Sequence, residues 1–226
     1  MRFLLLFTAL LLGSPILARE PTPRPDPARF AKEISVFECQ PADKGGIVFT
    51  GSSSIRLWKT LKQDFPDLPV LNRGFGGSVA NDLTVYFDTL ITRHEPKIIV
   101  TYTGSNDINA KLTPEEAFTD YTGFLDQVHT RFPKTRVLLT SVKIGEKRIT
   151  QIPQVHALNE LLKAWSESKD WVQYIDCTSY LADSAGKPIR KYYAADLLHL
   201  SPEGYAEWTK ILSPILHQEW AKVSGH

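Results

Sequence analysis

The chain has 226 residues, 42% of them hydrophobic and 23% charged, with a formal net charge of +1. That composition excludes a disordered or fibrous protein, and the length suits one domain of about 200 residues with a proper core. A near-neutral balance without a basic stripe argues against a nucleic-acid partner.

Read from its start, the chain opens MRFLLLFTALLLGSPILARE. Arg2 supplies a positive flank, Phe3 to Leu12 is an apolar run too short to span a bilayer comfortably, and small Ala18 precedes Arg19. This pattern predicts an export signal over residues 1–18, cleaved near Ala18, and a secreted or periplasmic protein. No cysteine follows the apolar run and no second apolar span occurs, so no stable membrane insertion is expected after cleavage. Residues 19–29 are rich in proline and read as a linker. The domain then runs over residues 30–226. Cys39 and Cys177 leave both a disulfide and two separate thiols open, with separate thiols favoured, and their spacing fits no metal motif.

From Phe30 onward, apolar runs alternate with helical patterns. Gly46–Thr50, Pro69–Asn72, Lys97–Thr103, Thr135–Val142 and Trp171–Asp176 read as strands, rich in β-branched and aromatic residues as strands buried on both faces are. Phe118, Tyr121, Leu125, Val128 and Phe132 recur at helical spacing, as do Leu158, Leu161, Leu162 and Trp165. Thr113-Pro114 and Ser201-Pro202 are N-cap and N1 pairs that open helices. The charged run Lys143 to Arg148 reads as a solvated loop. Five strands alternating with helices predict a parallel sheet covered on both faces, a three-layer α/β/α sandwich. In such sheets the ligand site lies outside the carboxyl ends of the strands.

The chemistry-bearing residues fall there. Strand one ends in Gly51-Ser52-Ser53-Ser54, where a serine at a helix N-terminus is placed to be a nucleophile. Strand two ends in Gly74-Phe75-Gly76-Gly77, which lets backbone N–H groups approach a ligand. Strand three ends in Gly104-Ser105-Asn106-Asp107, whose asparagine amide can aim at an oxyanion. Asp196 and His199, three apart, can pair so that Nε2 is left to take a proton from serine. Each segment alone is also explained as a cap, a turn or a surface pair. Four in order, each where a site must lie, point to one site. The other histidines, His94, His129, His156, His217 and His226, read as surface or core residues.

These four segments resemble the signature blocks of the SGNH (GDSL-type) hydrolases, over roughly Gly46 to Trp208. Gly51-Ser52-Ser53 corresponds to Gly-Asp-Ser, Gly77 ends the second block, and Gly104 to Asp107 and Asp196 to His199 match the remaining two in full. The resemblance implies a flavodoxin-like fold with a five-stranded parallel sheet and ester hydrolysis without metal or cofactor. It makes Ser53 the nucleophile, His199 the base and then acid, and Asp196 its orienter. The N–H groups of Ser53 and Gly77 and the side chain of Asn106 form the implied oxyanion hole. Ser52 stands where the family has aspartate, which bears on serine positioning but removes no triad member. The expected substrate is a small-molecule or carbohydrate ester with a short-chain or acetyl acyl group, since no lipase-like lid is visible. Trp58, Tyr192 and Tyr193 are candidates to stack on a sugar, with ordinary core roles as the competing reading. The competing functions are a binding module that keeps the fold without catalysis, and a metal-dependent hydrolase, for which the sequence offers only the Asp196–His199 pair.

Overall fold

The computed structural model describes residues 20–225. The export signal expected over residues 1–18 therefore lies outside the described residues. Five strands, β1 (Ile47–Gly51), β2 (Val70–Gly74), β3 (Ile98–Tyr102), β4 (Arg136–Thr140) and β5 (Val172–Ile175), form one sheet in the order β2-β1-β3-β4-β5. Every pairing is parallel. All five coincide with the strand segments expected from sequence, to within one or two residues.

Alternation along the strands separates two apolar layers. Val48, Ile99, Val137 and Leu139 face one side, where they meet Ile34 of helix α1 (Ala31–Glu38). Leu83 of α4 (Ala80–Val85), Tyr121 and Phe124 of α6 (Pro114–Arg131), and Leu158 and Leu162 of α7 (Ile152–Glu167) complete that layer. Ile47, Phe49, Ile98, Val100 and Leu138 face the other side. There they pack on Trp58, on Leu61 of the one-turn helix α3 (Leu61–Asp64), on Phe65, and on Trp208, Leu212 and Leu216 of α8 (Pro202–Ser224). The caps read from sequence open their helices: Thr113 accepts from the Glu116 N–H and Ser201 from the Gly204 N–H.

The stretch read as a linker is docked on the domain. The Arg24 guanidinium donates two bonds to Asp120 of α6, at 2.8 and 3.1 Å, and the Thr22 N–H donates to Glu116 at 2.7 Å. Pro27–Phe30 forms a 3₁₀ turn, which proline favours at its first position, and Phe30 is buried edge-on against Phe75.

The two cysteines are separate thiols. Cys39 is exposed just after α1, whereas Cys177 is buried in the opposite apolar layer. Trp58 and Tyr193 also depart from the sugar-stacking expectation. Trp58 is 1% exposed and Tyr193 6%, so neither ring presents a face to a ligand. Trp58 is instead the hub of an aromatic cluster with Phe49, Phe65, Tyr205 and Trp208, at centroid distances of 5.2–5.9 Å. Tyr192 is half-buried against the same layer.

Candidate active site

Strand order reverses between β1 and β3, the switch point at whose carboxyl edge such sheets place their ligand sites. β1 ends in Gly51, whose φ of +134° only glycine adopts easily. A Cβ at Gly51 would stand 1.9 Å from the Tyr102 carbonyl oxygen, so the close approach of β1 and β3 also demands glycine. The chain then turns into the one-turn helix α2 (Ser53–Arg56). Ser52 is held by its backbone: its N–H donates to the Tyr102 carbonyl at 3.0 Å and its carbonyl accepts from Ile55 and Arg56. These bonds fix the serine turn without the carboxylate that the family has at Ser52. Ser52 and Ser54 are buried, and Ser53 alone of the three is partly open to solvent.

The Ser53 hydroxyl lies 2.9 Å from His199 Nε2, and His199 Nδ1 lies 2.5 Å from Asp196 Oδ2. The other carboxylate oxygen of Asp196 accepts the N–H groups of Leu198 and His199, both at 3.0 Å. Burial alone would raise this carboxyl, but those two N–H groups and the imidazole outweigh it and hold Asp196 well below the usual carboxylate range. It is therefore ionised at neutral pH and can fix the Nδ1–H tautomer. The turn is tight enough to force Leu197 to a φ of +61°.

Asn106 lies in the short helix α5 (Ser105–Asn109), directly after β3. Its amide donates to the Ser78 carbonyl at 3.0 Å, which ties the third block to the second. Asp107 makes a second tie. Its carboxylate accepts the Ala80 N–H at 2.8 Å and the Gly104 N–H at 3.0 Å. Burial pushes the Asp107 carboxyl up to about 7, with those N–H groups opposing. Gly77, at φ +86°, leaves its N–H at the exposed end of the β2 turn. Among the described residues, neither the Ser53 nor the Gly77 N–H donates to a protein acceptor. All the residues expected at the site thus lie on adjoining turns at one edge of the sheet. Among the described residues no cluster of histidine, cysteine and carboxylates suited to a metal ion occurs.

The run from Lys143 to Arg148 is not a solvated loop. Lys143 is buried, and its ammonium donates to the Leu198 carbonyl beside His199. Burial, helped by the nearby Arg148 and opposed by Asp196, pushes Lys143 down to about 7. Tyr193 donates its hydroxyl to the Ile144 carbonyl, and the Lys147 N–H donates to the Leu197 carbonyl at 3.1 Å. Arg148 reaches the oxyanion side, with Nη2 3.0 Å from Asn106 Oδ1 and Nη1 2.8 Å from both Ser105 oxygens. Sequence reasoning missed both residues. The usable signal was position: the run follows β4 at the carboxyl edge, where charged residues have a site to serve.

A serine hydroxyl aimed at an imidazole, which is itself oriented by a carboxylate, is equipped for attack on an acyl carbon, and this defines the class as serine hydrolase. The chain belongs to the GDSL-like lipase/acylhydrolase family, whose model matches residues 46–207. It is a hydrolase acting on esters, with the α/β fold of the SGNH hydrolases. Comparison with curated proteins gave no match. Among solved structures, the chain is similar to a Bacteroides fragilis protein described as an acylhydrolase, at 20% identity and a TM-score of 0.71, covering 84% of this chain and 95% of that one. A GDSL-like lipase from Bacteroides thetaiotaomicron aligns at 18% identity and 0.68, covering 85% and 98%. An acetyl-xylooligosaccharide esterase from Geobacillus aligns at 13% and 0.59, covering 76% and 94%. At these identities the likeness is one of fold.

Proposed function

We propose that this protein is an exported esterase that removes short acyl groups, acetyl above all, through an acyl-Ser53 intermediate. The reading rests on one observation: the unbroken chain from Ser53 Oγ through both nitrogens of His199 to Asp196. His199 takes the Ser53 proton as the hydroxyl attacks the acyl carbon, and returns it to the leaving alcohol. The N–H groups of Ser53 and Gly77 and the Asn106 amide receive the oxyanion. Water, activated by the same imidazole, then releases the acid and regenerates Ser53.

The preference for a short acyl group is supported by where the empty space lies. Five cavities of about 320–650 Å³ are lined by residues other than Ser53, Asn106 and His199. One of them, about 650 Å³, lies between α7 and the loop after β5. A long acyl chain needs an apolar channel beginning at the nucleophile, whereas an acetyl methyl does not. The fold neighbour named for an acetylated xylooligosaccharide is consistent with a carbohydrate acetyl ester. Export is supported by Arg2, the run from Phe3 to Leu12, and Ala18.

The test is a chain-length series of p-nitrophenyl esters, from acetate to palmitate, assayed with a chelator present. A phosphonate ester label is mapped by peptide mass spectrometry in parallel. The expected results are kcat/KM highest at acetate, no effect of the chelator and an adduct on Ser53. A maximum at long chains would overturn the acyl preference. An adduct on Ser52 or Ser54 would overturn the nucleophile, and no turnover of any ester would favour a binding module.

A further inference from the structure

We infer that Arg148 is a positioning residue for the oxyanion hole, acting through the side-chain amide of Asn106. The inference rests on the esterase reading above and adds a residue from a loop outside the four signature segments.

The starting point is an ambiguity in asparagine. Its amide can sit in two orientations of nearly the same shape, one presenting N–H₂ to a given point and the other a carbonyl oxygen. Only the first stabilises an oxyanion. Two neighbours choose between them here. The Ser78 carbonyl accepts from Nδ2 at 3.0 Å, and Arg148 Nη2 donates to Oδ1 at 3.0 Å. A flip would set Oδ1 against a carbonyl oxygen and N–H₂ against a guanidinium, so both contacts would turn repulsive. Nδ2 carries two hydrogens, and the Ser78 bond engages one, leaving the other for the substrate.

The guanidinium is itself held. Nη1 donates to both the carbonyl and the hydroxyl of Ser105 at 2.8 Å, so Arg148 grips two consecutive residues of α5 with separate arms. The backbone accommodates this with a kink: Arg148, at φ −120° and ψ 29°, interrupts the 3₁₀ stretch Glu146–Gln151. Lysine offers no such planar fork.

Charge gives a second, independent reason. Arg148 is half-buried, and among the described residues it forms no salt bridge with any carboxylate. A cation withdrawn from water without a counter-ion is costly. It gains a negative neighbour when the tetrahedral intermediate forms at the Asn106 amide. Its field then favours the transition state over the ground state, and its bond to Oδ1 polarises the amide toward stronger donation. Other residues of the loop hold the opposite side of the site, through the Lys143 bond to Leu198 and the Lys147 bond to Leu197. One connection, between β4 and α7, therefore bridges the oxyanion donor and the acid–base turn.

The test is a double-mutant cycle on p-nitrophenyl acetate hydrolysis. Asn106→Ala alone is expected to lower kcat roughly 10²–10³-fold, as loss of one oxyanion donor does. Arg148→Ala is expected to lower kcat about 10- to 100-fold with KM within about threefold, since a misplaced donor fails mainly in the transition state. In the Asn106→Ala background the same change is expected to cost only about two- to fourfold, the part that the field of the guanidinium contributes, because no amide remains for Arg148 to position. Arg148→Lys keeps the charge without the fork and is expected to recover only part of the loss. Should Arg148→Ala melt below the assay temperature, Arg148→Gln enters the same cycle. Full additivity with Asn106→Ala, or wild-type kcat in the arginine variant, would overturn the role of Arg148 and leave the esterase reading standing. Wild-type protein that turns over no ester would overturn that reading first, so the two failures are distinguishable.

Discussion

Asp196→Asn isolates what the third member of the triad does. The carboxylate makes three contacts: Oδ2 with His199 Nδ1, and Oδ1 with the N–H groups of Leu198 and His199. Asparagine has one acceptor oxygen. If that oxygen keeps the two backbone N–H groups, which define the turn, the amide N–H₂ faces Nδ1. The imidazole must then accept at Nδ1 and carry its proton on Nε2, toward Ser53, where it cannot take the serine proton. The Asp196 side chain is 43% exposed, so its field on an imidazolium is screened by water and contributes the smaller share. Tautomer control is the larger share, and its loss in such triads is worth roughly 10⁴-fold in kcat, or about 5 kcal/mol. Asp196→Asn is therefore expected to lower kcat for p-nitrophenyl acetate by about that factor, and to slow phosphonate labelling of Ser53 in parallel, with little change in Tm. Asp196→Ala should be milder than His199→Ala, which removes the base itself. An Asp196→Asn variant that keeps more than about a tenth of wild-type kcat would refute tautomer control by Asp196. Asp107 could not replace it, being fully buried and bonded to Ala80 and Gly104.

Three further expectations follow from particular positions. Gly51→Ala forces a Cβ to 1.9 Å from a backbone carbonyl at φ +134°, and should destabilise the domain by roughly 2–5 kcal/mol. Gly77→Ala, with open space around its Cβ, should cost only about 1–2 kcal/mol, so equal Tm losses in the two variants would contradict the packing described for Gly51. Asp107, raised from 3.8 to about 7, binds its proton more tightly in the folded state, so its contribution to stability is full below about pH 4 and is lost as pH rises through 7. Between pH 8 and pH 5 the wild type should gain roughly 2–3 kcal/mol relative to Asp107→Asn, and parallel pH–stability curves from denaturant titration would refute this. Thiol titration should find Cys39 reactive in the native protein and Cys177 only after unfolding, and no free thiol in the unfolded chain would mean that the cysteines pair.

The parts that were legible in the sequence are those whose determinants are local. A buried parallel strand announces itself through its apolar run, and a helix start through Thr113-Pro114 or Ser201-Pro202, because a few neighbouring residues decide each. The triad segments were legible for a related reason. Gly51-Ser52-Ser53 is a strand end, a turn and a helix start in consecutive residues, and Asp196 reaches the His199 ring and N–H within a single turn. Trp58 shows the opposite case. Its nearness in sequence to Ser53 suggested the site, but the ring turns inward, because the first turns after β1 cover the sheet and a Trp side chain there meets Phe49, Phe65 and Trp208. Arg148 is the complementary case, a charged residue with no local pattern whose three acceptor atoms lie more than forty positions away. Only the sheet order, which sets β4 beside β3, brings that loop over α5. A catalytic turn can thus be written in a few adjacent residues, whereas the groups that hold one turn against another are chosen by topology. In this protein those holding groups include both charged ends of the run from Lys143 to Arg148, which composition alone assigned to solvent.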